Sequence, residues 1–236
     1  MSTPLLQVSD LQFAWPGQPL LLDIPAFSLQ AGERLFLKGP SGSGKTTLLG
    51  LLGGVHQPQQ GAITLLGQSL RQLSDLRRDR FRADHTGYLF QQFNLLPYLS
   101  VLDNVTLPCR FSSLRRERAL RQQPDLNTAA EHLLRELGLS DATLHQRSAG
   151  ALSIGQQQRV AAARALIGSP ELVIADEPTS ALDADSRDAF LKLLFDECAQ
   201  MGSSLLFVSH DTSLATRFDG ALSLAELNRA SQPEIL

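Results

Sequence analysis

Cysteine is nearly missing from this chain: Cys109 and Cys198 are the only two, and neither stands in a CxxC or other metal-type spacing. A disulfide-stapled fold and a thiolate-held metal site are therefore set aside, and two incidental thiols suit a reducing compartment. No apolar run approaches the ~18–20 residues that span a bilayer. Met1-Ser2-Thr3-Pro4 also lacks the basic-then-apolar pattern of a secretory signal. The chain is expected to stay in the cytoplasm, so work at a membrane needs a span supplied by another polypeptide. Positive charge is not in excess either: the formal net charge is −3, which gives no general pull toward nucleic acid. What is present is the composition of a globular protein, 43% hydrophobic and 19% charged. The length allows one large domain or a core with a subdomain.

The stretch that organises the rest is Gly39-Pro40-Ser41-Gly42-Ser43-Gly44-Lys45-Thr46. It has G-x-x-x-x-G-K-[ST] spacing, follows the apolar run Leu35-Phe36-Leu37 and precedes Leu48-Leu49-Gly50-Leu51-Leu52. The expected order is strand, Gly-rich turn, helix, which is the context that separates a phosphate loop from an ordinary Gly/Ser turn. Glycines let successive backbone N–H groups converge on one anion, and the helix that follows adds its unpaired N–H groups and positive dipole end. Lys45 would reach the β- and γ-phosphates of a nucleotide, and the Thr46 hydroxyl would ligate Mg²⁺.

Before this loop, Leu5 to Val8, Leu11 to Trp15 and Phe27 to Leu29 alternate partially and are broken by Pro16-Gly17 and Pro19, predicting an antiparallel β region. After it come a strand over Ala62 to Leu66, an exposed charged helix over Ser74 to Arg82 and a strand over Thr86 to Phe90. The segment Gln91 to Tyr98 reads as an apolar loop. From Val101 to about Gly168 helical signals dominate, notably Thr128 to Leu137 and Gly155 to Ile167, predicting a helical insertion. Leu114 to Arg121 is rich in arginine but has no interleaved aromatics, so it reads as the solvated face of a surface helix. Buried-strand character returns at Leu172 to Ala175, a helix follows over Ala184 to Gln200, and a second buried strand occupies Leu205 to Val208. A helix after Asp211, a strand near Ala221 to Leu224 and a frayed tail over Ala230 to Leu236 complete an α/β core with a helical subdomain inside it.

Chemistry collects where strands end. Asp176-Glu177 closes the run Leu172 to Ala175, and ligands of an open parallel sheet sit beyond the C-terminal strand ends. Two adjacent acids there divide into a metal-side carboxylate, Asp176, and a base that polarises an attacking water, Glu177. His210 follows the strand Leu205 to Val208 at the same edge and is expected to touch the γ-phosphate. Leu152-Ser153-Ile154-Gly155-Gln156 opens a helix: Ser153 with Gln156 three residues on is a capping box. A capped, Gly-containing helix start is also a second anion site. Two phosphate-grasping elements with one pair of acids predict that each completes a nucleotide site on a partner chain, which makes the protein an ATP-dependent dimer.

Taken together, these motifs resemble the ATP-binding-cassette ATPases, the nucleotide-binding subunits of ABC transporters, over about Leu5 to Leu224. Gly39 to Thr46 is similar to the Walker A motif, Gln91 to the Q-loop glutamine, Leu152 to Gln156 to the signature and Leu172 to Asp176 to Walker B. Glu177 is similar to the catalytic glutamate, Ser180-Ala181-Leu182-Asp183 to the D-loop and His210 to the switch histidine. The resemblance implies the ABC ATPase fold: a single domain over residues 1–236, with a P-loop NTPase core about 1–90 and 169–225, an N-terminal antiparallel β region and a helical subdomain about 98–168. It implies ATP and Mg²⁺ as cofactors, with Trp15, Gly39, Ser41, Gly42, Ser43, Gly44, Lys45, Thr46, Thr47, Ser153, Gly155, Gln156 and Asp183 on the nucleotide. Thr46, Gln91 and Asp176 fall to the metal, and Glu177, His210 and Gln91 to catalysis. Trp15 lies where the family places an aromatic on adenine.

Two copies are thereby expected to sandwich two ATP molecules head to tail, with an integral-membrane permease as partner, no nucleic acid, and a location on the inner face of the membrane. The fragments Phe90 to Pro97 and Asn104 to Pro108 resemble the subfamily of lipoprotein release, macrolide efflux and cell division. Phe93, Leu95, Leu96 and Tyr98 would lie near the permease. Ile154 departs from the usual glycine of the signature. A second reading from another class is a soluble ABC ATPase acting as an assembly factor; DNA-repair and chromosome ATPases are disfavoured because the chain lacks their coiled-coil or zinc insertions. No C-terminal regulatory domain is expected after Leu224.

Overall fold

The structure is a computed structural model in which residues 3–230 are described; the tail expected to fray lies largely outside them. In chain order the first elements are β1 (Leu6–Ala14), β2 (Leu20–Leu29), β3 (Arg34–Lys38), α1 (Lys45–Leu52), β4 (Gln60–Leu65), β5 (Gln68–Ser69) and α2 (Asp75–His85). Then come β6 (Thr86–Leu89), α3 (Val101–Thr106), α4 (Pro108–Phe111), α5 (Ser113–Leu120), α6 (Leu126–Glu136) and α7 (Ile154–Leu166). The last are β7 (Leu172–Asp176), α8 (Ala184–Met201), β8 (Ser204–Ser209), β9 (Gly220–Ser223) and α9 (Leu224–Leu227). They gather into two compact units, one running up to Arg82 and resuming at Ser204, the other Ala83–Ser203.

The first unit holds an antiparallel sheet in the order β2-β1-β4-β5, as the N-terminal alternation predicts. That alternation changes phase: Leu6 and Val8 are buried, and then Leu11 and Phe13. The switch falls at Asp10, which has φ +47, and the β1–β4 register shifts between Ser9 and Gln12. This is a β-bulge, one extra residue that restores the core face beyond it. Gly61 lies across from it at φ +79, where a Cβ would stand 2.2 Å from the Asp10 carbonyl oxygen, so only glycine fits.

The same unit sets β3 between β8 and β9, parallel to both. Leu35, Phe36 and Leu37 are buried together with the whole of β8, the signature of strands covered on both faces. Phe36 stacks on Phe207 at 6.2 Å and meets Phe218 at 5.2 Å. The helix expected after Asp211 is a 3-10 turn, Thr212–Arg217, which Asp211 caps by accepting the Ser213 N–H.

In the second unit β6 and β7 pair in parallel, Thr86 opposite Leu172 through Leu89 opposite Ala175. Helix α7 runs through its core, packed against α3, α6, α8 and β6. Val160, Ala161, Ala162, Ala163, Ala165 and Leu166 are all buried; the alanines leave room for neighbours on every side. At Gly87 a Cβ would stand 2.1 Å from the Ala165 carbonyl oxygen, so a missing methyl group sets how near β6 and α7 come.

The arginine-rich run forms α5, but it is not simply a solvated face. Arg115 is 3% exposed, and its guanidinium donates to the carbonyls of Ile167, Arg164 and Ala165. The last carbonyls of a helix have no partner within it, and Arg115 supplies three of those missing donors at the end of α7. Arg118 binds the Ser169 carbonyl and Glu171.

Candidate functional site

The first unit carries Gly39 to Thr47, Trp15 and His210. Strand β3 ends at Lys38, the chain turns through the Gly-rich loop, and α1 starts at Lys45. Gly42 has φ +79 and Gly44 φ +92; both lie in the left-handed region that side chains rarely adopt. A Cβ on Gly44 would also stand 3.0 Å from Leu22 Cδ2. Lys45 is buried, and its Nζ donates to the carbonyls of Gly39 (2.8 Å) and Pro40 (2.9 Å). The ammonium is thus folded back over the loop. Ser43 buries its hydroxyl with no hydrogen-bond partner among the described residues, whereas Ser41 and Thr46 are exposed. Leu21, Gly42, Gly44, Lys45, Thr46 and Thr47 line one shallow depression.

His210 sits beside this loop by register. Ser209, the last residue of β8, pairs with Lys38, the last of β3, so the next residue on each strand is His210 and Gly39. His210 is exposed at that edge. Trp15 follows β1 in a turn closed by Gln18 N–H to its carbonyl (2.9 Å), with Pro16 and then Gly17 at φ +71, the residues a type II turn requires. Its ring is 40% exposed and stands edge-on to Phe13 (5.0 Å) and His56 (5.1 Å). The Gln59 amide secures the approach by bonding both the N–H and the carbonyl of Ala14.

The second unit carries Gln91, Ser153, Gly155, Gln156, Asp176, Glu177 and Asp183. Asp176 is buried at the end of β7. Burial, followed by that carboxylate, pushes the Tyr88 phenol above its ordinary pKa. Glu177 has φ +45, an uncommon conformation for a side-chain-bearing residue that turns the chain sharply off the strand. Leu89 pairs with Ala175, so Gln91 and Glu177 each lie two residues beyond a paired strand end.

At α7 the capping box is complete: Ser153 Oγ accepts the Gln156 N–H, and Gln156 Oε1 accepts the Ser153 N–H. Ile154 is 56% exposed at the mouth of a cleft shared with Gly155, Leu182 and Asp183. Asp183 caps α8, its carboxylate accepting from the N–H and hydroxyl of Ser186 at 2.8 Å each; those bonds hold it below the usual carboxylate range.

Of the apolar side chains after Gln91 expected to lie near a permease, Phe93 does not reach the surface. Phe93 is 7% exposed, a core residue with no surface to offer a partner, whereas Tyr98 is largely exposed. Phe93 and Asn94 have φ +59 and +48, and their carbonyls are both held by the Arg164 guanidinium of α7. Burial pushes that guanidinium's pKa down to about 10. Gln158, also on α7 and buried, donates to the Pro178 carbonyl just beyond Glu177 (2.9 Å). Sequence reasoning passed over both residues; a glutamine in a run of three and an arginine among alanines carry no mark of their targets.

With the geometry in place, the family described as ABC transporter matches residues 22–180 of the chain. The lipoprotein-releasing system ATP-binding protein LolD of Anaeromyxobacter dehalogenans is 39% identical over 229 residues, 96% of this chain and 92% of LolD. The macrolide export ATP-binding/permease protein MacB of Burkholderia pseudomallei is 38% identical over 222 residues, covering 91% of this chain and 32% of MacB. Among solved structures, a dimeric post-hydrolysis state of the ATP-binding cassette MJ0796 bound to ADP and Pi matches at TM-score 0.77 and 30% identity, covering 92% and 93% of the two chains.

Proposed function

This chain belongs to the ABC transporter family, and from that premise we propose that it is the ATP-binding and hydrolysing subunit of a transporter, dimerising on ATP to drive a separate membrane permease. The observation that carries the reading is the Gly39–Thr46 loop, with glycines at φ +79 and +92 and Lys45 folded over the carbonyls of Gly39 and Pro40. Such a loop turns backbone N–H groups and one ammonium toward a polyphosphate. Its neighbour in register, His210, contacts the γ-phosphate, and Trp15 offers a half-exposed ring to the base.

Thr46 in the first unit, and Gln91 and Asp176 in the second, are oxygen donors of the kind Mg²⁺ takes, so their chemistry fits the ion they would hold. Held by these residues, Mg²⁺ would supply positive charge against that of the phosphates. Glu177 takes the proton of the attacking water from its place in the sharp backbone turn that follows the strand. Ser153 and Gly155 of a second copy close over the γ-phosphate held by Lys45 of the first, so hydrolysis requires two chains. No helix among the described residues is long and apolar enough to cross a membrane. The span belongs to the permease, which holds this subunit on the inner membrane face. Likeness to a lipoprotein-releasing system protein and a macrolide export protein supports release or export as the class of work.

The test is Glu177→Gln. Expected outcomes are loss of steady-state ATP hydrolysis, retained ATP binding, and an ATP-dependent dimer in gel filtration that also co-purifies a multi-span protein from detergent-solubilised membranes. Appreciable turnover by the variant refutes the base assignment. A soluble partner with no membrane protein replaces the permease with the assembly-factor reading.

A further inference from the structure

We infer that Arg164 and Gln158 are positioning residues for the Gln91 loop and the Glu177 loop, and that α7 is the rigid strut joining both to the Ser153 tip. The inference rests on the ATPase reading above and names how that site is held in shape. Three observations carry it. First, the Arg164 fork spans two consecutive carbonyls, Phe93 and Asn94, in a left-handed dipeptide two residues past Gln91. A planar fork matches two carbonyls at fixed spacing, which a point charge does not. Second, the Gln158 amide holds the Pro178 carbonyl immediately after Glu177, itself at φ +45. Both loops adopt backbone conformations that persist only when their surroundings impose them. Third, α7 has little freedom to bend between these anchors. Its capping box fixes one end, Arg115 ties the other, and the alanines between are buried.

Gln158 and Arg164 are six residues apart, about 9 Å along the helix axis. A displacement applied at Ser153 by a second chain therefore reaches both reactive side chains as one rigid movement. Neither residue touches substrate; each acts through a backbone it holds.

The test uses the full chain with two conservative variants, Arg164→Lys and Gln158→Leu, read by amide hydrogen exchange and by ATPase kinetics. Arg164→Lys is expected to speed exchange of the Phe93, Asn94 and Leu96 N–H groups, now bonded to Phe90, Gln92 and Asn104. Gln158→Leu is expected to speed exchange of the Ser180 and Leu182 N–H groups, now bonded to Glu177 and Thr179. Strands β1 and β3 should be unchanged in both. In the kinetics, Arg164→Lys should raise the Mg²⁺ concentration for half-maximal turnover by about tenfold, as outer-shell changes do at metal sites. Gln158→Leu should lower kcat about tenfold with KM for ATP within about twofold. Exchange that rises throughout the second unit in either variant, or in neither loop, overturns the inference, as does an unchanged Mg²⁺ requirement beside an unchanged kcat. If the unaltered chain hydrolyses no ATP, the proposed function falls, while the exchange data still judge the struts.

Discussion

Replacing Arg115 with methionine keeps the length of the side chain and removes its guanidinium from the end of α7. Three hydrogen bonds disappear, of 2.7, 3.2 and 2.7 Å to the carbonyls of Ile167, Arg164 and Ala165. Bonds from a charged donor contribute about 1.5–3 kcal/mol each, roughly 4.5–9 together. Against this stands the cost of burying the cation. Burial is the main cause that pushes the Arg115 pKa down to about 10, equivalent to about 3 kcal/mol. The net loss is then about 1.5–6 kcal/mol, pushed toward the upper end because three buried carbonyls are also left without donors. The backbone has no easy way to relax: Gly168, at φ +73, lies so close that a Cβ there would stand 2.4 Å from the Arg115 carbonyl oxygen. For a chain of this size each kcal/mol lowers the midpoint by about 2–4 °C, so Arg115→Met should melt roughly 3–24 °C lower. Urea unfolding with a constant slope checks the free energy directly, and Arg115→Lys, with one compact donor, should fall between the two. A loss below about 1 kcal/mol would mean that water or local rearrangement replaces the guanidinium, and the assignment of Arg115 as a helix-end cap would be refuted.

Acid should expose a second dependence. Burial acts to raise the Glu171 pKa, but hydrogen bonds from His85 and Arg118 outweigh it and bring the value down to about 2. A depressed carboxylate stabilises the fold above its unfolded pKa, and that contribution is lost as pH falls from about 4.5 toward about 2. With solvent screening of a partly exposed group the loss is about 1–2 kcal/mol, and Glu171→Gln should flatten that part of the pH–stability curve. At the signature, Ile154 is 56% exposed at the start of α7, so Ile154→Gly should cost at most about 1 kcal/mol of stability. Its ATPase rate should rise or stay the same, because in the proposed dimer a bulky side chain is removed from the seam between chains; a clear fall would show that the isoleucine serves the site.

Much of this was legible in the sequence, for reasons that differ by element. Gly42 and Gly44 announce their backbone, because left-handed conformations select glycine. The runs Leu172 to Ala175 and Leu205 to Val208 announce burial on both faces, and Ser153 with Gln156 announces a helix start. What escaped was set by partners distant in sequence. Arg115 lies among arginines that are mostly exposed, and its charge pattern does not reveal that unpaired carbonyls of another helix lie above it. Phe93 looks like its apolar neighbours in the loop until Arg164 is seen to fold that loop inward. The bulge at Asp10 left a trace: the apolar positions Leu6 and Val8 give way to Leu11 and Phe13, a change from even to odd that no regular strand produces. Glu177 gave no such sign, because a left-handed glutamate is imposed by its surroundings rather than by its own preferences.

The missing methyl group at Gly87 has a practical consequence for anyone recombining this protein with its relatives. The spacing of β6 and α7 is set by an atom absent from one and a carbonyl oxygen present on the other, 2.1 Å from where that atom would be. A chimaera that imports residues 152–168 from another cassette therefore inherits a tolerance it does not itself encode. Donor and acceptor segments will be interchangeable only when position 87 travels with them as glycine, so the crossover points that preserve folding must keep this strand and this helix on the same parent.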